Sequence, residues 1–287
     1  MYYAQLAANG LSQGLVVGLA ALGITLVFGI ARFANASAGD SLSFGAYMAL
    51  VGQRLTGSLL LGAAFAIVVS ALASVLCYKL VFKQLAGRSS VALLVGSIGL
   101  AFLLRGALGV VFGHQQQVFD VELTRPYRFG ALAISALDLQ MAGVAALCLG
   151  VAFGTLYFTS IGRQMRAIAD NPDLARVSGI QPERVMIALW SLVGGITAVA
   201  GLILGIKTVI SPETGWEMLL PAFAAAILGG IGSPLGAVLA GLLLGAAQEL
   251  STPFVGFTYK IALSFVVILF VLLFRPRGLF GRVEGVR

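Results

Sequence analysis

Charged residues are scarce in this chain, and their scarcity excludes a large water-facing surface. Only 10% of the 287 residues are charged, whereas 59% are hydrophobic, and the mean hydropathy is +1.01. Soluble domains carry roughly 25% charged residues. A surface in contact with water cannot be built from this composition, so we expect the surrounding solvent to be lipid and the chain to hold no sizeable soluble domain.

Histidine and cysteine, the usual residues of metal sites and nucleophilic catalysis, are almost absent. His114 is the single histidine, and it lies in the polar stretch "FGHQQQVFD"; Cys77 and Cys148 lie in apolar runs, as small core residues do. No metal-ligand spacing, no paired acids and no Ser/His pair can be found. A membrane enzyme would need such a polar cluster, so this class is disfavoured.

Phosphate-binding and nucleic-acid-binding signals are absent as well. The chain has no GxxxxGK[ST] motif and no Gly-Lys pair, so it cannot bind ATP through a P-loop. The net charge is +7, but no basic cluster interleaved with aromatic residues accompanies it. In a membrane protein such an excess reports basic residues in cytoplasmic loops. We therefore expect no cofactor on this chain and no nucleic-acid partner.

Long apolar segments dominate what is present. They run at about 4–31, 41–56, 58–82, 91–112, 138–159, 184–206, 217–230, 234–251 and 257–274. Since about 20 apolar residues cross a bilayer as a helix and no alternating strand pattern occurs, we predict an all-α polytopic membrane protein. It forms one domain over 1–287, a bundle of about eight to nine transmembrane segments. Two segments, 41–56 and 217–230, are short for a full crossing.

The basic residues between these segments predict the orientation. Three connections are rich in Lys and Arg: Lys79, Lys83 and Arg88; then Arg163, Arg166, Arg176 and Arg184; then Arg275, Arg277, Arg282 and Arg287. Placing all three in the cytoplasm is consistent with the number of crossings. The connection 113–137 then lies outside, the N-terminus outside and the C-terminus inside.

One polar insert, "GRQMRAIADNPDLARVSGI" at 162–180, interrupts the apolar chain. Its pattern predicts two short helices. We expect Gly162 to end the preceding span, Asn171 to cap the second helix ahead of Pro172, and Gly179 to end it. Two functions fit such an insert: an amphipathic connector lying on the lipid headgroups, or a rigid docking element for a cytoplasmic partner.

The two short segments both contain polar or broken stretches at membrane depth. Such backbone is tolerated only where protein or a water-filled cavity satisfies it, and paired interruptions in the two halves of a transporter point to its pathway. We therefore predict a translocation path lined by Asn35, Gly39, Asp40, Tyr47, Gly229, Gly230, Gly232 and Ser233.

Three further assignments stay open at this point. Asp40 either lines the path or caps a helix that begins at Ser41. Arg105, inside an apolar run, either extends toward the outer face or pairs with an acid. Tyr47, Trp190 and Trp216 are typical of membrane-interface anchors, with a place in the pore as the alternative.

Four stretches together resemble the permease subunits of branched-chain amino acid ABC importers. The insert matches that family's pattern of Gly, then Arg-Ala-x-Ala-x-Asn-x-x-x-Ala, then Gly-Ile. The other matches are "LAALGITLVFGI" near the start, "AFAAAILGGIGSPLGAVLAGLLLG" at 222–245 and "LLFRPRGLFG" at 272–281. They occur in the family's order and cover nearly the whole chain, which is similar to the shorter of the family's two permease types.

The resemblance implies a function and a set of partners. Residues 160–183 would form a cytoplasmic coupling loop that sits in a groove of an ATPase subunit. Its coupling residues would be Arg163, Arg166, Ala167, Asp170, Asn171, Ala175, Gly179 and Ile180. The ATPase subunits would use ATP and magnesium, a second permease subunit would complete a heterodimer or a homodimer, and an extracytoplasmic binding protein would deliver the substrate.

The substrate is left open by the sequence. The family mostly carries branched-chain and other neutral amino acids, and related members carry urea, short amides or aromatic acids. The family commonly has Asn-Phe-Ala-His-Gly-Glu where this chain has Asn35-Ala36-Ser37-Ala38-Gly39-Asp40. The competing function is an ion-coupled carrier or channel without ATPase partners. It leaves the polar insert unexplained, and few acids lie within the spans.

Overall fold

The computed structural model describes residues 2–121, 127–129, 132–256, 259–275 and 278–281. Its helices are α1 Tyr2–Ala31, α2 Ala38–Thr56, α3 Leu59–Cys77, α4 Ser90–Phe112, α5 Ala136–Phe158, α6 Ser160–Asp170, α7 Pro172–Val177, α8 Pro182–Lys207, α9 Thr214–Gly229, α10 Pro234–Val255 and α11 Lys260–Phe274. A π-helical turn, Tyr78–Phe82, extends α3. Arg277, Arg282 and Arg287 lie outside the described residues.

The predicted fold class is confirmed, because each of the nine apolar segments becomes a helix. Within the described residues, six helices are long and apolar enough to span a membrane, and two shorter apolar ones accompany them, Thr214–Gly229 and Ala262–Phe274. The chain is a multi-pass membrane protein. The connection 113–137 also contains a short antiparallel hairpin of β1 Tyr127–Phe129 and β2 Leu132–Ile134, which the sequence did not predict.

Helices α1 and α8 form the centre of the bundle, and glycines let their neighbours approach. Most residues in the apolar windows of α1 and α8 are buried, 78% and 72%. A Cβ at Gly14 would lie 2.7 Å from Leu242 Cα of α10, and one at Gly45 would lie 2.6 Å from Ala198 Cα of α8. Backbones this close leave no room for larger residues, as is usual for helix packing in membranes.

The bundle has two ends that can be told apart by their contacts. At one end, called here the α6–α7 end, Arg32 after α1 reaches α6, and Lys83 pairs with Glu183 at the start of α8. At the opposite end, Lys207 of α8 pairs with Asp138 of α5 at 3.1 Å. Helix α2 runs toward this opposite end, where the Gln53 side chain donates to the carbonyl oxygen of Asp120.

Candidate functional site

A tight corner between α5 and α6 begins the α6–α7 segment. The Thr159 hydroxyl accepts from the backbone N–H of Gly162 at 3.2 Å, which caps α6. The Arg166 guanidinium turns back and donates to the carbonyl oxygen of Leu156, at a helix end where carbonyls lack partners, and it stacks over the Tyr157 ring. Helix α6 is therefore held against the last turn of α5.

Gly162 lies inside this corner, so the prediction that it ends the preceding span is wrong. Helix α5 ends at Phe158, and Gly162 is in the first turn of α6. A Cβ on Gly162 would lie 2.2 Å from the carbonyl oxygen of Leu156. The glycine is needed because the backbone of α6 approaches the carbonyl end of α5, which the sequence pattern could not reveal.

The far end of α6 is tied to α1. Arg32 follows α1 with a φ of 57°, and its guanidinium donates to the carbonyl oxygens of Ala169 and Asp170 at 2.8 and 3.4 Å. A cation at a helix C-terminus is favourable because it satisfies orphan carbonyls and the helix dipole. Helix α6 is thus connected to the ends of two membrane helices, α5 and α1.

The predicted boundaries of α7 are confirmed. The Asn171 side chain accepts from the backbone N–H groups of Asp173 and Leu174 at 3.1 and 3.0 Å. At the other end, Gly179 has a φ of 82°, and the N–H of Ile180 donates to the carbonyl oxygen of Ala175 at 3.1 Å. This is a Schellman C-cap, so α7 has a defined start and a defined stop.

The residues predicted to couple divide into an outer and an inner set. Arg163, Arg166, Asp170, Asn171 and Gly179 are exposed, Ala167 and Ile180 are half-buried, and Ala175 is buried. Ala175 and Ile180 therefore contribute to the packing of α7 rather than to its outer face. Two apolar side chains that the sequence prediction left out face outward instead, Leu174 at 63% and Val177 at 87% exposure. Their signal was the i, i+3 spacing in a polar stretch.

The neighbouring connection between α3 and α4 is joined to the same end. Lys83, just beyond the π-helical turn, forms an ion pair with Glu183 in the first turn of α8. The hydrogen bond to Glu183 raises the pKa of Lys83. Both side chains are about half exposed, so the pair orients this connection more than it stabilises the fold.

Asp40 is part of an ion pair inside the bundle. Helix α2 begins at Ala38 rather than Ser41, so Asp40 lies in its first turn and does not cap it. Its carboxylate accepts from Nε and Nη2 of Arg105 on α4 at 2.9 and 3.2 Å. A lone charged residue at the bilayer centre costs roughly 2.5–3.5 kcal/mol on insertion scales. Pairing offsets that cost, and of the two placements considered for Arg105 the structure has the pairing with an acid.

A close approach of two backbones holds the ion pair against α9. A Cβ on Gly39 would lie 2.5 Å from the carbonyl oxygen of Gly215. Beside it, the Ser43 hydroxyl accepts from the N–H of Gly215 at 2.8 Å and donates to the carbonyl oxygen of Pro212 at 3.2 Å. The beginnings of α2 and α9 are therefore joined through buried hydrogen bonds.

The other predicted path residues on this side are enclosed. The Asn35 side chain accepts from the N–H and hydroxyl of Ser37 and closes the turn before α2. Tyr47 is fully buried, with its ring stacked on Phe112 at 4.7 Å. Trp190 is 3% exposed and stacks on Phe82, so the prediction of an interface anchor is wrong for Tyr47 and Trp190. Trp216, at 42% exposure, lies 4.7 Å from the Arg105 guanidinium.

The glycine-rich turn between α9 and α10 lies at the α6–α7 end. Gly230 and Gly232 have φ values of 98° and 88°, which favour glycine. Residues after α11 dock on this turn: the N–H groups of Leu279 and Phe280 donate to the carbonyl oxygens of Leu228 and Gly229 at 2.7 and 3.2 Å. The segment 278–281 thus completes the C-terminal end of α9.

An open cavity of about 860 Å³ lies beside this turn. Gly232 and Ser233 line it from one side, and Met165, Arg166 and Asp170 of α6 line it from the other. The predicted path residues therefore form two groups rather than one. Gly39 and Asp40 meet the start of α9, and Gly229 to Ser233 lie at its other end, about 24 Å away for a 16-residue helix.

In the ranges that the structure describes, no cluster of three or more His, Cys, Asp or Glu residues could hold a metal ion.

Comparison with known proteins identifies a family whose members are similar to this chain over nearly its whole length. Residues 6–273 match the family model described as "Branched-chain amino acid transport system / permease component". The chain is 31% identical over 301 aligned residues to the high-affinity branched-chain amino acid transport system permease protein BraD of Pseudomonas aeruginosa. That alignment covers 99% of this chain and 97% of the relative.

Other relatives are similar over comparable lengths. The high-affinity branched-chain amino acid transport system permease protein LivH of Escherichia coli is 29% identical over 99% of this chain and 97% of its own. A probable branched-chain amino acid transport permease of Methanocaldococcus jannaschii is 29% identical over 92% of this chain and 88% of its own. Among solved structures, PsaBC from Streptococcus pneumoniae in complex with Fab matches with a TM-score of 0.49, 15% identity and coverage of 94% and 91%.

Proposed function

The chain belongs to the branched-chain amino acid transport permease family, and on that premise we propose that it is the transmembrane permease subunit of an ATP-driven importer. All of 1–287 would form one permease domain. ATPase subunits would dock on the coupling loop 160–183 and supply the energy, since the sequence has no P-loop. ATP and magnesium would be bound by those partners.

The observation that carries this proposal is the α6–α7 segment. It exposes Leu174 and Val177 on a helix that has a cap at each end. Exposed apolar side chains framed by charges are typical of a protein-protein contact. The same segment is tied through Arg166 to α5 and through Arg32 to α1. A displacement of this surface by a bound ATPase would therefore be transmitted directly to two membrane helices, α5 and α1.

The distribution of basic residues supports a cytoplasmic location for the α6–α7 end. Basic residues gather there: Arg32, Lys79, Lys83, Arg88, Arg163, Arg166, Arg176 and Arg184. Cytoplasmic loops carry such an excess. The N-terminus and the connection 113–137 would then lie outside and the C-terminus inside, in the bacterial inner membrane.

Transport would proceed by alternating access. ATP-driven closure of the ATPases would move the coupling loop, and α1 and α5 would move with it. A second permease subunit, different or identical, would complete the pathway, and an extracytoplasmic binding protein would deliver the solute. The names of the relatives favour a branched-chain amino acid as that solute.

Capture of the ATPase from the chain's own host tests the proposal. The tagged permease is extracted in mild detergent, and the proteins that co-purify are identified by mass spectrometry. Leu174→Asp with Val177→Asp places two charges on the exposed face without touching the buried one. Arg88→Asp, on the neighbouring connection at the same end, is the control.

We expect the wild type and Arg88→Asp to recover a P-loop ATPase and the double variant to lose it at equal membrane abundance. A permease that purifies alone, or a double variant that retains the ATPase, would contradict the proposal. If the permease purifies alone, an ion-coupled carrier or channel becomes the favoured function.

A further inference from the structure

The cavity beside the glycine-rich turn has room for far more than water. Its volume is about 860 Å³, whereas a water molecule occupies about 30 Å³, and pockets for small molecules measure about 300–1,000 Å³. Its walls come from the last two turns of α1, the last turn of α5, the second half of α6 and the first turn of α10. The cavity therefore lies where membrane helices end, at the depth of the lipid head groups.

The cavity opens between apolar side chains. Four large apolar residues of its lining are each about half exposed: Tyr157, Ile231, Leu235 and Phe280. Exposed apolar side chains around an opening are typical of contact with a membrane or with another protein. Deeper in the wall, Leu26 is apolar and almost fully buried. Both the opening and the inner wall therefore suit an acyl chain.

Two opposite charges lie one helical turn apart on the wall that α6 forms. Arg166 and Asp170 both line the cavity and are exposed, and side chains four residues apart share one helix face. The Arg166 guanidinium donates through Nη1 to the carbonyl oxygen of Leu156, and its other nitrogens meet no acceptor among the described residues. No described residue contacts the Asp170 carboxylate either. Both charges are thus available to a ligand.

The remaining polar groups on or beside the wall are engaged or enclosed. The Ser233 hydroxyl caps α10 by accepting from the N–H of Gly236 at 3.3 Å. Thr25 is 1% exposed, and its hydroxyl has no hydrogen-bond partner in the described part of the chain. Arg32 donates to the backbone carbonyl oxygens at the end of α6 rather than to a carboxylate. A ligand in the cavity would therefore meet chiefly the two charges of α6.

A positive and a negative charge above apolar walls match a phospholipid with a zwitterionic head group. We propose that the cavity binds a phospholipid whose head group carries a primary ammonium, as phosphatidylethanolamine does, with its phosphate on Arg166 and its ammonium on Asp170. The free donors of an arginine suit phosphate oxygens, and a primary ammonium has three donors for a carboxylate. The C-terminal end of α6 also favours a cation. Basic pockets between membrane helices on the cytoplasmic side are typical sites for lipid head groups.

Both charges of this head group distinguish it from other lipids. Phosphatidylglycerol has no cation for Asp170, and the methylated ammonium of phosphatidylcholine has no N–H donor. A bound lipid would join the coupling helix α6 to α1 and to the glycine-rich turn, which also line the cavity. The inference goes beyond the proposed transport function, because it requires only that this end of the bundle meets a membrane leaflet.

Thermal melting of the purified full-length permease measures this binding. The protein is stripped of lipid in mild detergent, and its melting temperature is followed as the mole fraction of phosphatidylethanolamine, phosphatidylcholine or phosphatidylglycerol in the micelles rises. Asp170→Asn removes the carboxylate charge without removing a side-chain contact to any described residue. Asp173→Asn is the matched control, because Asp173 is an exposed aspartate three residues away that does not line the cavity.

The expected result is a preference that depends on Asp170. Phosphatidylethanolamine should reach the midpoint of its effect at a mole fraction about 10-fold lower than phosphatidylcholine, the usual ratio for one hydrogen bond to a charged group. Mono- and dimethylated ethanolamine lipids should lie between the two. Without lipid, Asp170→Asn should melt at the wild-type temperature, and with lipid it should lose the preference, whereas Asp173→Asn should keep it.

Several results would overturn the inference. Equal midpoints for phosphatidylethanolamine and phosphatidylcholine, or an Asp170→Asn variant that keeps the preference, would show that the carboxylate does not recognise the ammonium. A stronger effect of phosphatidylglycerol would identify a site for phosphate alone. No effect of any lipid would show that another molecule fills the cavity, and stabilisation by leucine instead would identify a solute cavity. None of these results depends on recovery of the ATPase, which tests the transport function separately.

Discussion

Replacing Gly162 with alanine should loosen the contact between α6 of the coupling loop and α5 without removing a charge. The new Cβ would lie 2.2 Å from the carbonyl oxygen of Leu156 and 2.3 Å from that of Thr155. Ordinary contact begins near 3.4 Å, so α6 must move by about 1.2 Å. Both neighbours are backbone atoms at the end of α5 and cannot turn aside as a side chain would.

The cost can be assembled from three contributions. Overpacking of this kind costs about 1–3 kcal/mol, and loss of the Arg166 hydrogen bond to Leu156 adds about 1.5–3 kcal/mol. Alanine is more favourable than glycine inside a helix by up to about 1 kcal/mol, which offsets part of this loss of stability. The net loss is roughly 2–5 kcal/mol, concentrated at the corner that joins α6 to α5.

Thermal unfolding of the purified permease and recovery of the ATPase measure this effect. Gly154→Ala is the control, because a Cβ there meets nothing within 4 Å and should be neutral or slightly stabilising. We expect Gly162→Ala to unfold several degrees lower and to recover less ATPase. Equal melting and equal recovery for the two variants would refute the close approach of α6 to α5.

Two further predictions concern the ends of the short helices. Arg32→Ala should lower the free energy of unfolding by about 1 kcal/mol, because it removes the cation from the C-terminal carbonyls of α6. Backbone hydrogen exchange at 167–171 should become faster than in the control variant Arg88→Ala. Unchanged exchange would contradict the contact between Arg32 and α6. Gly179→Val should lower the free energy of unfolding by about 1–3 kcal/mol, because valine is strained at the positive φ of this position. Gly179→Asn should be tolerated, because asparagine adopts such a φ more readily. Equal melting temperatures for the two variants would show that the backbone at this position is not constrained.

The sequence predicted the helices well because each depends on local composition. Apolar runs of sufficient length, together with Asn171 and Gly179 at the ends of α7, sufficed to locate the segments and the boundaries of α7. The hairpin Tyr127–Phe129 with Leu132–Ile134 was missed because its strands have only three residues each, too few for an alternating pattern to be recognised.

Contacts between distant residues could not be predicted in the same way. Asp40 and Arg105 are 65 positions apart, and each was ambiguous alone. Their pairing depends on the start of α2 lying inside the bundle, where Gly39 meets Gly215. The two groups of predicted path residues likewise resembled one site in sequence, because both interrupt apolar segments, although they lie at opposite ends of α9.

Photo-crosslinking from Val177 tests the central claim most directly. A benzoylphenylalanine at position 177 would stand on the exposed face of α7, and one at Val110 of α4 serves as the control, since the two valines are 87% and 88% exposed. After irradiation in intact membranes, we predict that position 177 forms an adduct with a P-loop ATPase and that position 110 does not. Adducts of position 177 with lipid alone would contradict the account and identify the α6–α7 segment as an interfacial connector.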